Sequence, residues 1–361
     1  MSATLDNLEA DVAGEFANRM IGVFNDASLA LLLSIGHQTG LLDSLARMSP
    51  STSGEVAAAS GLNERYVREW LDGMTVARVV EYDPETATYW LPAEHAASLT
   101  TAAGPGNLAR MMQIVPMLAE VEQGVVGCFR SGGGLGYEHF PRFHALMAED
   151  SAATHDAGLL DVVVPLVPGL REQLTTGATL ADIGCGSGHA INLLARAFGN
   201  STFVGYDLSE EAVGAARREA ASWGLTNATY VVQDVAALDV KSGWDFVTAF
   251  DAIHDQPDPA RVLAGIAEGL RPGGVFLMVD IHAASRVNEN LDIPWATFLY
   301  TVSLMHCMTV SLALDGVGLG TVWGRQTATR MLGAAGFHVL EVHDIETDPF
   351  NSYYVATKTI H

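Results

Sequence analysis

Basic residues are scarce in this chain. Its 361 residues carry 19 Lys and Arg against 42 Asp and Glu, a formal charge of −23. Nucleic-acid phosphate is held by clustered Lys and Arg, so this balance argues against a nucleic-acid partner and against an anionic membrane surface. Cysteine is scarce too. Cys128, Cys185 and Cys307 are too few for a disulfide framework and suit a reducing compartment. Long apolar runs are missing: the longest early one, "LALLLSIG", is far too short to span a bilayer. The N-terminal "MSATLDNLEADVAGEF" lacks the basic-then-apolar layout of a signal peptide. These absences together lead us to expect a soluble cytoplasmic protein. Apolar residues, by contrast, make up 49% of the chain, enough for two cores at this length.

Three regions follow one another. Residues 1–100 read as a winged helix. Thr52 or Ser53 can cap a short helix, Gly61 makes the turn, and Asn63 can cap a second helix. Tyr66, Val67, Trp70, Leu71 and Met74 fall on one face of that helix. "VVEYD" and "TYWL" flank "PETA" as the wing hairpin. A DNA-reading helix would carry basic residues into the major groove. This one mixes Glu64, Arg65, Arg68, Glu69 and Asp72, which suits a solvated or protein-facing surface better. Residues 101–177 read as a mainly helical linker, broken by the glycine-rich "SGGGLGYEHF", either a hinge or a plain connector. From residue 178 onward, short β-like runs alternate with amphipathic stretches, the mark of an α/β, doubly wound parallel sheet.

"LADIGCGSGHA" follows the first of these strands and opens a helix at His189. Gly184, Gly186 and Gly188 allow a sharp turn and close approach of backbone to a ligand. A dinucleotide loop would have its third glycine where His189 stands, so the spacing disfavours NAD. Asp182, Asp207 and Asp234 sit at three successive strand ends, where ligands of such sheets bind. An acid at Asp207 can accept both hydroxyls of a ribose.

On these motifs the region resembles class I S-adenosylmethionine (SAM) dependent methyltransferases. The resemblance implies a cofactor site made of Asp182, Gly184, Gly186, Gly188, Asp207, Leu208, Asp234, Val235 and Phe250. In it Leu208 would lie on the adenine and Asp234 would accept from the adenine amino group. The tail "FHVLEVHDIETDPFNSYYVATK" reads as the antiparallel hairpin that closes this family's seven-stranded, Rossmann-like sheet. In "GYEHFPRFHALMAEDSAATHDAGLLDVV", Tyr137, Glu138, Phe143, Met147, Asp150 and Ser151 match plant-type small-molecule O-methyltransferases. That family carries an N-terminal winged helix used for dimerisation, so the resemblance implies a homodimer acting on a small molecule. The chain is closer still to winged-helix SAM-dependent methyltransferases of actinobacteria.

"FDAIHDQPDP" then acquires a context. In the plant-type family a His-Asp pair follows the fourth strand and its His is the general base, which implies catalytic roles for His254 and Asp255. A phenol of pKa ~10 keeps its proton at pH 7, and an imidazole of pKa ~6.5 can take it. The alternative is a His that only lines the pocket. The family flanks its His with two acids. One corresponds to Asp280, whose side chain is short for the task. The other belongs near "GTVWGRQTA", which holds Arg325 and Gln326 but no acid.

Residues 282–325 read as a lid-like insertion that brings His306 and Trp323 to the substrate beside Phe143 and Met147; the alternative is a core or interface helix. His306 and Cys307 are neighbours that an α-helix turns apart, a poor metal pair, and no metal is expected. Metal-assisted O-methylation would need an Asp-Asn pair after the fifth strand, where Asp280 is followed by Ile281. Three further readings stay open: N- or S-methylation by proximity, a SAM-sensing winged-helix regulator, and a dehydrogenase.

Overall fold

The structure is a computed structural model and describes residues 10–358. The acidic N-terminal stretch lies largely outside the described residues. The chain divides into two compact units, Met1–Pro116 and Met117–His361. The helical segment from residue 101 to 177 is therefore shared, its first part belonging to the first unit and the rest to the second.

In the first unit α1 (Ala10–Gln38) precedes α2 (Leu41–Arg47), α3 (Ser53–Ser60) and α4 (Glu64–Val76). Thr52 caps α3 in a reciprocal box with Glu55, Gly61 ends it in the left-handed conformation, and Asn63 caps α4. Val67, Trp70, Leu71 and Met74 are buried. Tyr66, assigned to the same face from the sequence, is 81% exposed instead. It stands in the first turn, one residue off the buried stripe. The wing is the hairpin of β1 (Glu81–Asp83) and β2 (Thr88–Trp90), with Glu81 opposite Trp90. α5 (Ala93–Leu99) and α6 (Leu108–Met111) complete the unit. On α4, Arg65 pairs with Glu69, and Arg68 lies 3.4 Å from Glu64. Both arginines of the would-be recognition helix are thus engaged by acids of their own helix.

The second unit begins with most of α7 (Ile114–Ser131), then α8 (Phe143–Gly158) and α9 (Leu170–Thr176). The β/α part follows: β3 (Thr179–Ile183), α10 (His189–Ala197), β4 (Thr202–Asp207), α11 (Glu210–Ser222), β5 (Ala228–Val232) and β6 (Trp244–Phe250). After it come α12 (Pro259–Gly269) and β7 (Leu270–Ile281). The segment after β7 holds α13 (Ala296–Val302), a π-helical turn (Ser303–Cys307) and α14 (Met308–Ala313). α15 (Gly324–Ala334) leads into β8 (Phe337–Ile345) and β9 (Asp348–Lys358).

The sheet order is β5-β4-β3-β6-β7-β9-β8. All neighbours are parallel except β9, which runs antiparallel to both β7 and β8. The seven-stranded, Rossmann-like sheet with a closing hairpin is therefore present. Two cores cover it. Leu180, Phe203, Phe246, Leu277 and Val355 meet α9, α10 and α11 in one; Ala181, Val247, Phe276, Met278 and Tyr354 meet α12 and α15 in the other. Alternate residues of the same strands serve the two cores, as the two-residue period of a pleated strand demands. β3 lies between β4 and β6, so the strand order reverses there and a crevice opens at the carboxyl ends.

Gly188 shows how tightly the crevice is built. Its φ is 71°, and a Cβ there would stand 2.5 Å from the Tyr230 ring and 2.6 Å from Ala216 Cβ. Gly188→Ala should therefore combine a left-handed Ala with overpacking and lose ~1–3 kcal/mol in a urea unfolding series. A stability equal to wild type would show that the loop can shift at no cost.

Candidate active site

The carboxyl ends of β3 to β7 deliver the site. Asp207, at the end of β4, spans the glycine loop: one carboxylate oxygen accepts from Gly186 N at 2.9 Å and the other from Ser209 N at 2.8 Å. A Cβ on Gly186 would meet nothing within 4 Å, so this part of the loop lies open. Leu208 is 58% exposed at the lip. Asp234 is exposed after β5, and its carboxylate accepts from Ala236 N at 2.9 Å. Val235 differs from expectation. Its side chain is buried in the second core, so it is committed to packing. Phe250 is half-buried and meets the ring of His155 edge-on at 4.8 Å. Burial, helped by nearby His189, brings His155 down to about 4, so that it is neutral at pH 7.

Asp182 does not face the crevice freely. It is buried and accepts from Thr248 Oγ1 at 2.7 Å, clamping β3 to β6. Burial drives its carboxyl up from an ordinary 3.8 to about 7, against the lowering effect of the Thr248 hydroxyl.

At the end of β6 the chain turns at Asp251, whose φ is 51°. Such a value is strained for a non-glycine residue and is typical of functional turns. His254 follows and is only 3% exposed. Its Nδ1 lies 2.8 Å from Asp280 Oδ1, and its Nε2 lies 3.0 Å from Asp255 Oδ1. Asp280, at the end of β7, is fully buried. The same Oδ1 also accepts from Trp323 Nε1 at 2.8 Å and from Ile281 N at 2.8 Å. Burial alone would lower the proton affinity of His254, but the carboxylates of Asp280 and Asp255 overcome it and raise that affinity well above 6.5. Burial works the other way on Asp255, whose carboxyl the adjacent imidazolium nevertheless brings down to about 2. The resting arrangement is a proton held by His254 between two carboxylates.

The two acids flanking His254 are thus Asp280 and Asp255. The short side chain of Asp280 reaches because β7 runs beside β6. The segment "GTVWGRQTA" contributes the N–H of Trp323 in place of an acid. Trp323 sits in the second core, 4% exposed, with its N–H committed to Asp280.

Phe143 and His306 come together, stacked at 3.8 Å with planes 19° apart. Phe140 and Tyr137 meet His306 edge-on at 4.7 and 5.7 Å. Met147 lies one turn along α8 from Phe143, half-buried. Burial brings His306 down to about 4, so this aromatic cluster contains a neutral imidazole. The π turn overturns the expected divergence of His306 and Cys307. Both are buried at the end of the π turn, with Nδ1 and Sγ 3.7 Å apart. The sequence reading gave Tyr137 no chemical role. Its hydroxyl donates to Asp255 Oδ2 at 3.3 Å. "GYEHF" carried only a family likeness, and no local spacing pairs residues 118 apart in the chain.

Comparison with known proteins agrees with this geometry. Residues 27–101 match the Rv2258c-like winged HTH domain and residues 174–308 match a methyltransferase domain. The chain therefore joins a winged helix-turn-helix domain to a methyltransferase domain of the class I, Rossmann-like fold. Among curated proteins it is 35% identical over 107 residues to the ubiquinone biosynthesis O-methyltransferase of Methylococcus capsulatus, covering 29% of this chain and 44% of that one. It thus spans less than half the length of that relative. Solved structures match nearly end to end. The mitomycin 7-O-methyltransferase MmcR has a TM-score of 0.70 at 18% identity, covering 97% of this chain and 98% of its own. The neocarzinostatin O-methyltransferase NcsB1, solved with SAM and 2-hydroxy-5-methyl naphthoic acid, has a TM-score of 0.63 at 17% identity, covering 91% and 96%.

Two outcomes follow from the site. Trp323→Phe keeps the ring and removes one donor from a buried charged acceptor, a loss of ~1.5–3 kcal/mol in chemical unfolding; an unchanged midpoint would mean that Asp280 does not need this bond. The folded chain holds the Asp182 proton up to about 7, whereas an unfolded Asp releases it near 3.8. The stability tied to that proton is complete below 3.8 and is lost as pH rises through 7. Asp182→Asn should therefore flatten the fall in melting temperature between pH 5 and 8, read by calorimetry, and equal slopes in both proteins would refute it.

Proposed function

We propose that this chain transfers a methyl group from SAM to a hydroxyl on an aromatic small molecule, with His254 as general base. The observation that carries this reading is the buried His254, held by Asp280 on one nitrogen and Asp255 on the other, at the strand ends beside an aromatic cluster. The fit to SAM rests on the open backbone at Gly186, the fixed carboxylate of Asp207 and the exposed Leu208 and Asp234. Asp207 would take the ribose, Leu208 the adenine face, Asp234 the adenine amino group, and the loop Gly184–Gly188 the methionyl part, with Phe250 alongside. SAM, when bound, would supply an electrophilic methyl group carried on a positively charged sulfur.

The chain's own residues do the rest. Phe143 and Tyr137, both half-buried, would offer aromatic surface to a substrate ring, with the buried His306 stacked behind Phe143. Asp280 keeps the proton of His254 on Nδ1 and orients the ring, leaving Nε2 as the working nitrogen. At rest Nε2 also carries a proton, facing Asp255, so that proton has to leave and Asp255 has to turn aside before Nε2 can accept from the substrate hydroxyl. Positioned base catalysis contributes ~10²–10⁴ in rate, and alignment of the reactants contributes further.

We infer a homodimer formed through α1, because Phe16, Met20, Ile21, Phe24, Leu31 and Ile35 of this helix are all exposed. By length and composition alone, Val12–Gln38 and Ala296–Ala313 could cross a membrane. In the second of these His306 and Cys307 are buried, which suits a helix of the methyltransferase unit.

His254→Gln should bind S-adenosylhomocysteine like wild type by calorimetry, yet lose ~10²-fold or more in methyl transfer to phenols. Equal rates would replace the base by simple proximity, and preferential transfer to thiols or amines would move the acceptor away from oxygen. Phe16→Glu with Phe24→Glu should halve the mass seen by light scattering. A wild-type monomer, or flotation of the protein with phospholipid vesicles, would overturn the dimer assignment.

A further inference from the structure

The pair His254–Asp255 has a third neighbour that methyl transfer leaves unused. A ring nitrogen of His254, a carboxylate oxygen of Asp255 and Sγ of Cys307 all lie within 4.8 Å of one another. Cys307 comes from the end of the π turn between α13 and α14, far from the other two in sequence, and is 5% exposed. Oδ1 of Asp255 is buried yet lacks a directed hydrogen-bond partner, although Nε2 is 3.0 Å away. Three different donor types from two chain segments therefore converge on one point.

The spacing suits a small cation. Zinc bonds of ~2.0 Å to nitrogen and oxygen and ~2.3 Å to sulfur place tetrahedral donors roughly 3.3–3.8 Å apart. Small side-chain rotations reach that from the distances found here. Behind His254, Asp280 accepts from Nδ1 at 2.8 Å, the outer carboxylate that fixes a metal-bound histidine. One nitrogen, one oxygen and one sulfur disfavour magnesium and calcium, which take oxygen, and favour zinc or cobalt.

We propose that His254, Asp255 and Cys307 form a binding site for a thiophilic divalent cation, zinc in particular, which competes with the proton on His254. Binding forms metal bonds to Nε2, Oδ1 and Sγ and releases two protons, one from the imidazolium and one from the thiol. The fourth position stays open to water. If His254 is the base, as proposed above, the cation takes the lone pair that the base needs, and zinc inhibits.

Cobalt(II) titration of the purified full-length protein should give a sulfur-to-cobalt charge-transfer band. The band should vanish in Cys307→Ser and Cys307→Ala and persist in a Cys128→Ser, Cys185→Ser double variant, where Cys307 is the remaining thiol. Zinc should inhibit methyl transfer by the wild type ~10-fold or more, reversibly on chelation. Absence of the band in wild type, its persistence without Cys307, or its loss in the double variant would overturn the site. A band governed by Cys307 without inhibition would uphold the site and overturn the base assignment instead.

Discussion

One carboxylate oxygen gathers the buried polar cluster at the ends of β6 and β7. Oδ1 of Asp280 takes three donors: the ring of His254, the indole of Trp323 and the backbone of Ile281. A buried carboxylate is costly unless it is hydrogen-bonded, and three donors satisfy this oxygen where water cannot. The three donors come from the loop after β6, the segment before α15 and the end of β7. The parallel neighbours β6 and β7 place the acid beside the imidazole, and Trp323 ties the segment after β7 to both. The orientation of the imidazole and the tie of the segment after β7 to the sheet therefore meet at one oxygen.

The glycine loop works in a similar way at the other end of the crevice. Asp207 bridges Gly186 and Ser209, so the carboxylate available to a ligand also holds the loop and the next helix start. Asp182 lies one strand over and is tied to Thr248. Its strongly raised carboxyl is the cost of placing an acid inside the sheet to clamp the two strands that part at the crevice.

Much of this was legible in the sequence because it is local. Glycine spacing, strand-ending acids, the Thr52 and Asn63 caps and the closing hairpin are all written within a few residues. What escaped depends on tertiary neighbours. Trp323 reads as a pocket residue from its apolar surroundings, and only the fold turns its N–H toward Asp280. Tyr66 reads as buried from helical periodicity, and only the end of the apolar stripe leaves it in solvent. Val235 follows a strand-ending acid, and its direction is decided by the core beneath it. Asp255 was visible as a partner of His254, but not as the occupant of its outer nitrogen. The convergence of His306 and Cys307 was hidden for a different reason: it requires a helix that departs from 3.6 residues per turn.

That π turn makes the site depend on chain length as well as on residue type. Each α-helical residue advances the direction of its neighbours by about 100°. Taking one residue out between Ser303 and Cys307 would let the segment relax into regular α-helix. Helices α13 and α14 would keep nearly the same relative phase, because five residues of a π turn sweep about the same angle as four α-helical ones, but the residues of the turn itself would be shared out differently and Cys307 would lose its place beside His254. The composition would hardly change and the helix would be more regular, yet the junction with His254 would come apart. The irregular turn thus absorbs one extra residue between α13 and α14.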